Sequence, residues 1–513
     1  MSKKSQPIFD RPPIYESIVF ILYLCIGFIP NFEAIDKIAP QWLFMSILNI
    51  IVGVFILKNQ NVYGSRISIH FKSVLTLFYS FFIFWGGVSF FYAINSTEVL
   101  VNVSRQFNVF FMYTNMAILL ISINNKEKFF SWILTLILTI EVYSIFFQAI
   151  EMINTQGGII SGNLKGVTAN RNIAAFSIAM KIPFVLYLIT KRSLDKIKVL
   201  GLVIITLATT AILIIQSRAS YLAIGLIVLA ICFIPFLFFS QKNGHYKLRI
   251  ILSVIIPLIL SVFINQLFFA SKGADAISRA STISFSTNDG SVNQRLRYYG
   301  HVLSHLKSNP IFGVGLGNWK FKSIEYDKNT MQGYIVPYHA HSDFLQLGAE
   351  LGIIGFLFYS GIFILAIIFC LRILIEPSLK QEQKLFIYLT LLSLSVYLID
   401  ANLNFPIARP QVIVIWTLIL SLISYYYHHN MNNDDFVKVK FQNNIKLYIM
   451  LILSLPTFFI SYKVYGSLIN QTLLLRDYNT NKYFTKLSQI DNMELNIPNV
   501  SVTTIPLQSI KAR

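Results

Sequence analysis

The sequence has 513 residues, of which 55% are hydrophobic and only 13% are charged. A soluble domain carries roughly 25% charged residues, so this composition, with its 44 phenylalanines, excludes an ordinary soluble protein. The formal net charge of +19 could indicate nucleic-acid binding, but the positions of the basic residues explain it differently, as shown below. The three cysteines all lie in apolar runs, so neither a disulfide framework nor a zinc site is predicted.

Apolar runs recur along the whole chain and predict an all-α, polytopic membrane protein. Thirteen of them are near the length of about 20 residues that a helix needs to cross a bilayer. They are 15–31, 40–57, 73–93, 104–123, 129–150, 173–190, 199–216, 219–239, 250–269, 344–371, 385–402, 410–428 and 445–466. The first run has a basic start and no small-residue cleavage site, which predicts a retained helix and not a signal peptide.

The basic residues predict the orientation of these helices. With the N-terminus in the cytoplasm, the segments on that side contain 21 of the 42 Lys and Arg residues. The short loops on the other side contain six, namely Lys37, Arg105, Lys165, Arg171, Arg218 and Arg409. This asymmetry follows the positive-inside rule and accounts for the net charge without a nucleic-acid partner.

The same orientation divides the chain into four predicted parts. Membrane helices occupy 1–269 and 344–466, a large extracytoplasmic loop occupies 270–343, and an extracytoplasmic tail occupies 467–513. Residues 270–292, rich in Ser, Thr and Asp, predict an irregular stretch at the start of that loop.

Two charged residues lie inside predicted membrane helices. Glu141 is about nine residues from the outer end of the fifth run, and Lys181 is about eight from the outer end of the sixth, so both lie at a similar depth. A lone charge at that depth costs several kcal/mol. The two are therefore predicted to form an ion pair.

The end of the large loop contains a pair of histidines, His339 and His341, just before an apolar helix. Ser342 is suited to cap that helix and Asp343 to lie in its first turn. The helix dipole favours a neutral His341 that can accept a proton, and the same helix end can attract a phosphate. A solvent-facing loop histidine is the alternative, and a metal site lacks a third ligand at recognisable spacing.

Three outer arginines are candidates for binding an anion. Arg295 and Arg297 flank the start of a short amphipathic helix predicted over Leu296–Lys307. Arg218 lies in the short turn QSRAS between two apolar runs, where a guanidinium can bind phosphate oxygens in a bidentate manner. An arginine whose side chain reaches up to the lipid head groups is the alternative for Arg218.

The glycines from Gly313 to Gly317 resemble a dinucleotide-binding loop only superficially. No preceding strand or βαβ unit is predicted, so a tight loop after Pro310 explains them better. Asp343 and Glu350 would share one helix face, which raised the possibility of a two-carboxylate glycosidase. Because Glu350 lies about two turns into an apolar helix, a buried hydrogen-bonding role is preferred for it.

Five segments together resemble the O-antigen ligase and polymerase superfamily of bacterial membrane glycosyltransferases. PIFGVGLGNW and HAHSDFLQLGAELGIIG resemble its hallmark region, QSRASYLA resembles its Ser-Arg turn, and NLNFPIARPQ resembles a Phe-Pro and Arg-Pro loop. GVTANRNIAAF resembles a Gly-x-x-x-Asn-Pro-Asn segment, with Arg171 in place of the usual proline. The resemblance covers about residues 70–430 in the expected order.

The resemblance implies a GT-C-like fold and an inverting glycosyl transfer without metal or cofactor. The donor would be an undecaprenyl-diphosphate-linked glycan, and the acceptor a glycan or lipid A–core. Arg218 and Arg295 would hold the diphosphate, and His341 would deprotonate or position the acceptor hydroxyl. Further substrate-binding residues would be Arg171, Asn172, Arg297, His339, Glu350 and Arg409. The protein would lie in the bacterial inner membrane with its active site facing the periplasm.

Several functional alternatives stay open at this point. Ligase, polymerase and protein O-oligosaccharyltransferase share these motifs, although a ligase or polymerase is preferred. A transporter or flippase would be expected to show repeat symmetry and more charges within the membrane, and a structural subunit would not need Arg218 or His341. Convergence of Arg218, Arg295 and His341 on one outer cavity would favour an enzyme.

Overall fold

The computed structural model describes residues 13–190, 195–239, 241–242, 244–282, 290–331, 336–431 and 445–512. Ten helices precede the large loop: α1 Ile14–Leu24, α2 Ala39–Lys58, α3 Gln60–Lys72, α4 Val74–Val88, α5 Ser96–Leu119, α6 Lys126–Gln156, α7 Arg171–Thr190, α8 Lys196–Ile215, α9 Arg218–Phe238 and α10 Gly244–Ile264. Nine follow: α11 Ala276–Ser281, α12 Gly290–Ser308, α13 Trp319–Asp327, α14 Asp343–Ile375, α15 Gln381–Leu403, α16 Pro410–Met431, α17 Ile445–Thr480, α18 Leu487–Asp491 and α19 Leu507–Ala512. Within these ranges the only β pairing is an isolated bridge between Val500 and Pro506, so the all-α prediction is confirmed.

Eleven of the helices in the described ranges are long and apolar enough to cross a membrane, against thirteen predicted segments. The first predicted segment, 15–31, is too short in the structure to cross a membrane, because α1 ends at Leu24. The other is 104–123, which lies in α5; this helix has 24 residues but is too polar to count as a membrane helix by its hydropathy. Its polar residues bond to other helices inside the bundle: Asn49 Nδ2 on α2 donates to the Asn108 main-chain carbonyl (2.8 Å), and Asn115 Nδ2 donates to the Tyr23 hydroxyl (3.0 Å).

Helix α3 occupies the stretch between the second and third predicted membrane helices. Tyr63, Ile67 and His70 are spaced by four and three residues and are all buried, so one face of α3 packs into the bundle. Arg66 itself is buried, with its guanidinium 4.1 Å from the centre of the Tyr425 ring.

Helix α7 lies at the centre of the second half of the bundle and packs against α6, α8 and α15. Its Lys181 is fully buried and contacts both carboxylate oxygens of Glu141 on α6, at 2.8 and 3.0 Å. The Ser177 hydroxyl also lies 3.0 Å from that carboxylate. The predicted ion pair is therefore confirmed, and it joins two adjacent helices in the apolar interior.

Helix α14 is bent near its start, which positions the outer region. Ser342 caps the helix, accepting a hydrogen bond from the Leu345 N–H (3.3 Å), as predicted. Gly352 then adopts φ 67° and ψ −170°, which breaks the helix into a short outer piece and a long inner one. A Cβ at Gly352 would lie 2.0 Å from the Ile311 carbonyl oxygen, so only glycine allows the loop after Pro310 to approach the bend.

Helix α17 has 36 residues and is about 54 Å long at 1.5 Å per residue, more than a bilayer requires. Its outer end packs against the tail through a small apolar cluster that includes Leu474, Leu495 and Leu507. The tail also reaches the outer end of the bundle, where Asn95 Nδ2 donates to Asn499 Oδ1 (2.8 Å).

Candidate functional site

A cavity of about 230 Å³ lies at the end of the bundle where α7 and α9 begin, and we call it the arginine cavity. Its cationic lining residues are Arg171, Arg218, Arg279 and Arg295. They come from the starts of α7 and α9, from α11, and from the first part of α12. Its other lining residues are Asn172, Gln216, Ser217, Ala219, Leu222, Val292, Leu296, Tyr299 and Leu403, so the described lining contains no carboxylate.

The turn before α9 places two of these arginines. Gln216 ends α8 in the left-handed conformation (φ 57°), which lets the chain reverse directly into α9 at Arg218. The short helix α11 is fastened to this turn: Arg279 Nε donates to the Gln216 carbonyl (3.2 Å), and Gln216 Nε2 donates to the Asp275 carbonyl (3.0 Å). Arg218 in turn donates to the Thr282 carbonyl (3.3 Å).

A buried polar chain fixes the opposite wall. Asn172 Nδ2 donates to Asn404 Oδ1 (3.2 Å), and Asn404 Nδ2 donates to the Asp400 carboxylate (2.7 Å). These contacts join the start of α7 to the end of α15. They hold Arg171, which also donates to the Ser161 hydroxyl (3.3 Å), at the edge of the cavity.

His341 lies beside the arginine cavity without lining it. The hydroxyl of Tyr299, a lining residue, lies 3.0 Å from the His341 carbonyl oxygen. The imidazole stacks near Tyr298 (ring centroids 6.2 Å apart) and meets Phe405 edge-on at 5.6 Å. His341 has φ 57°, a conformation that non-glycine residues rarely adopt, and its Nδ1 has no hydrogen-bond partner among the described residues.

The environment of His341 keeps its imidazole neutral. Burial, followed by the positive charge of Arg295, lowers the pKa of His341 to about 4. A neutral imidazole can accept a proton at physiological pH. An anion bound by Arg295 would offset that positive charge, so ligand binding would raise the pKa of His341 towards the value that suits a general base.

Another cavity, of about 400 Å³, lies next to the stacked rings of His339 and Phe405, and we call it the second cavity. Its lining includes three of the residues predicted from sequence, His339, Glu350 and Arg409, together with Asp36 and Arg105. Phe405 stacks on His339 (ring centroids 4.0 Å apart) and lies under the Arg409 guanidinium at 5.2 Å. His341 therefore lies between the residues that line the two cavities.

Hydrogen bonds define the protonation of His339. Gln346 Oε1 accepts from the Ala340 N–H (3.2 Å) and therefore also acts as the acceptor for His339 Nδ1 (3.3 Å). The proton of the imidazole is thus assigned to Nδ1, which leaves the Nε2 lone pair able to accept a hydrogen bond. Burial, followed by the charge of Arg409, lowers the pKa of His339 to about 3, so the ring stays neutral.

Glu350 binds the glycine loop that follows Pro310. Its carboxylate accepts from the N–H groups of Gly317 (2.8 Å) and Trp319 (3.4 Å) and from Gln346 Nε2 (3.1 Å). Main-chain bonds add to this contact, because the Gly315 N–H donates to the Glu350 carbonyl (2.9 Å). The glycine run is thus a tight loop packed on the bend of α14, and Glu350 has the buried hydrogen-bonding role that was preferred from sequence.

The nine predicted site residues are distributed unequally. Arg171, Asn172, Arg218 and Arg295 line the arginine cavity, whereas His339, Glu350 and Arg409 line the second cavity. Arg297 lines neither cavity and pairs with Asp327 on α13 (2.9 Å), so its contact with substrate has no support here.

Sequence reasoning missed three residues of these cavities. Arg279 was passed over because residues 270–292 were predicted to be irregular, although α11 forms there. Tyr299 and Arg105 were not singled out, because a tyrosine on an amphipathic helix and an arginine near a helix end are common features. Across the ranges that the structure describes, no three His, Cys, Asp or Glu side chains are grouped as metal ligands would be.

The fold and the site together define a multi-pass, all-α membrane protein with two polar cavities at one end. The family model described as O-antigen ligase matches residues 200–360, a range that contains Arg218, Arg295, His341 and Glu350. This match supports the resemblance to the O-antigen ligase and polymerase superfamily that the motifs indicated, and with it a glycosyltransferase type of activity in general terms. The comparison with curated proteins gives no significant match.

Proposed function

We propose that this protein transfers a glycan from an undecaprenyl-diphosphate donor to an acceptor hydroxyl at the periplasmic face of the bacterial inner membrane. The observation that carries the proposal is the convergence of four arginines from four separate elements on one cavity. Guanidinium groups bind phosphate oxygens in a bidentate manner. The start of two long helices at the same cavity, at Arg171 and Arg218, adds positive partial charge for an anion.

The apolar lining of the arginine cavity suits the lipid part of such a donor. Leu222 on α9 and Leu296 on α12 are 43% and 49% exposed, although both are large apolar side chains. Because α9 has few buried residues, most of its surface is available to lipid. A polyprenyl chain can therefore leave the cavity along α9 while its diphosphate stays with the arginines.

The proposed reaction is a single displacement at the anomeric carbon. The acceptor oxygen forms a bond to this carbon as the bond to the diphosphate oxygen breaks, and the diphosphate leaves with the electron pair. The hydroxyl proton goes to His341, whose neutral imidazole is able to accept it. Inversion at the anomeric carbon follows from attack opposite the leaving group.

The arginines supply the electrostatic stabilisation of the leaving group. Charges already fixed around a developing anion lower the barrier, and removing one such group typically costs about 10²–10³ in rate. With four cations at the diphosphate, the proposal requires no metal ion, and transfer is expected to continue in EDTA.

The test is a transfer assay with purified protein in detergent, EDTA and an undecaprenyl-diphosphate oligosaccharide. Arg218→Ala and His341→Ala should lose transfer while keeping the thermal stability of the wild type. Arg372→Ala is the matched control, because this arginine is exposed at the other end of α14 and should keep full activity. Full transfer by either test variant would refute the assigned roles.

The products of the same assay separate the members of the superfamily. A ladder of glycans formed from donor alone indicates a polymerase, whereas a single new band that requires a lipid A–core acceptor indicates a ligase. A product that requires a protein acceptor indicates an O-oligosaccharyltransferase. Absence of product with every acceptor would overturn the transferase proposal.

A further inference from the structure

The second cavity contains two arginines without an anionic partner. Among the described residues, neither Arg105 nor Arg409 forms a hydrogen bond or an ion pair through its side chain. Their guanidinium groups lie instead near aromatic rings, that of Arg105 at 5.8 Å from Trp42 and that of Arg409 at 5.2 Å from Phe405. Arg409 Nε is buried and has no partner.

The cavity lining contains three carboxylates, Asp36, Asp343 and Glu350, and each already accepts a hydrogen bond from the main chain, Asp343 from the Ile407 N–H (3.0 Å) and Glu350 from the Gly317 N–H (2.8 Å). Asp36 also lines the second cavity, but its Oδ1 accepts from the N–H groups of Ile38 (3.1 Å) and Ala39 (2.9 Å), at the start of α2. Its charge acts on Arg409 only at a distance, because no ion pair within 4 Å joins them. A largely buried cation without a partner is costly, and a bound anion would remove that cost.

The remaining groups of the cavity are suited to a sugar. His339 offers the lone pair of its Nε2 to a hydroxyl, because its Nδ1 is the donor to Gln346. Amide side chains at Asn102 and Gln106 also line the cavity. Because the three carboxylates of the lining are bonded to the main chain, the two arginines and the neutral donors and acceptors favour an acidic sugar over both a neutral sugar and a simple inorganic ion.

The tail closes one side of this cavity. Val502 lines the cavity and lies at the tip of a loop in which the Leu507 N–H donates to the Asn499 carbonyl (3.0 Å). Asn499 is fastened to Asn95 near the start of α5. One wall of the second cavity is therefore formed by the tail.

We infer that the second cavity binds the acceptor glycan through an anionic substituent, a sugar carboxylate or phosphate, held by Arg105 and Arg409. The inference rests on the proposed function for the statement that the bound sugar is the acceptor. From this cavity the acceptor hydroxyl reaches His341 past Phe405, while the donor diphosphate occupies the arginine cavity on the other side. Acidic acceptors are then selected before the chemical step.

A binding experiment tests this inference without transfer. The full-length protein in lipid nanodiscs is first saturated with undecaprenyl diphosphate, so that the arginine cavity is filled. Glucose, glucuronate and glucose 6-phosphate are then titrated and their binding is followed by saturation-transfer NMR. Glucuronate or glucose 6-phosphate should bind at least about 10-fold more tightly than glucose, as expected for charge-assisted hydrogen bonds, and the tighter of the two identifies the substituent.

Variants assign this preference to the second cavity. Arg105→Gln with Arg409→Gln should abolish it, whereas Arg372→Gln, exposed at the other end of α14, should leave it unchanged. Arg105→Gln alone should weaken it and serves if the double variant does not fold. Equal binding of all three sugars, or a preference that survives in the arginine variants, would overturn the inference. The transfer assay with Arg218→Ala is a separate measurement, so the proposed function can stand or fall independently.

Discussion

Replacement of Glu350 should mainly lower the folding stability of the protein, with a smaller effect on substrate binding. Glu350 is 2% exposed, and its carboxylate accepts three hydrogen bonds, two of them from the main chain of the glycine loop at Gly317 and Trp319. A buried donor left without an acceptor costs about 1–3 kcal/mol. Glu350→Ala leaves two buried N–H groups without a partner, which amounts to roughly 2–6 kcal/mol.

Glu350→Gln gives an intermediate case. One oxygen remains, but the new NH₂ group must face at least one of the donors, so the expected loss is about 1–3 kcal/mol. Thermal unfolding in one detergent, followed by tryptophan fluorescence, measures both variants. Glu325→Gln on α13 is the control, because its carboxylate is 64% exposed and should matter by less than about 0.5 kcal/mol.

The stability measurement also decides between two roles for Glu350. Because it lines the second cavity, it could contact substrate as well as hold the loop. A Glu350→Gln variant with the thermal stability of the wild type but without transfer would refute the structural role and favour a substrate contact. A destabilised variant whose Michaelis constants are unchanged at low temperature would support the structural role.

Three further outcomes follow from the contacts around the site and the bundle. Burial and the charge of Arg295 lower the pKa of His341 to about 4, so kcat/KM should fall only as the pH drops towards about 4. Arg295→Gln removes that charge and should move this acid limb to higher pH. An acid limb near pH 6.5 in the wild type would contradict the role of His341 as a base. Lys181→Met leaves Glu141 buried without its partner and should lower the free energy of unfolding by about 3–5 kcal/mol. Adding Glu141→Leu should restore most of this lost stability. A double variant no more stable than the single one would argue against the ion pair. Gly352→Ala places a Cβ 2.0 Å from a backbone oxygen, in a residue with φ 67°, and should prevent normal folding. The expected sign is loss of monodisperse protein on size-exclusion chromatography. A well-folded variant would disprove the requirement for glycine at this position.

Local rules were sufficient for those parts of the fold that depend on neighbours in sequence. Runs of apolar residues predict membrane helices, and Ser342 could be recognised as a cap because caps need one particular side chain at one position. Glu141 and Lys181 could be paired because helices of constant rise place them at one depth. Each of these predictions uses the geometry of a single helix or of two consecutive ones.

The parts that were missed depend on contacts between distant segments. The bend at Gly352 is invisible in an apolar run, because a lone glycine is compatible with a straight helix until the Pro310 loop packs on it. Helix α5 departs from the expected composition because its amides bond to Tyr23 and Asn49 on other helices. Arg279 could not be joined to Arg218 from sequence, because residues about sixty apart meet only through the folded turn at α11.

The position of His341 between two cavities bears directly on the stereochemistry of the proposed transfer. An inverting displacement needs the attacking hydroxyl and the departing diphosphate on opposite sides of one carbon. One cavity that held both substrates would let water or either substrate approach the anomeric carbon from the same side. Here Tyr299, which lines the arginine cavity, bonds to the His341 carbonyl, and Phe405, which packs on the His341 ring, also stacks on His339 of the second cavity. In the proposed transfer, a hydroxyl from the second cavity would therefore meet a sugar held at the arginine cavity from the face opposite its leaving group.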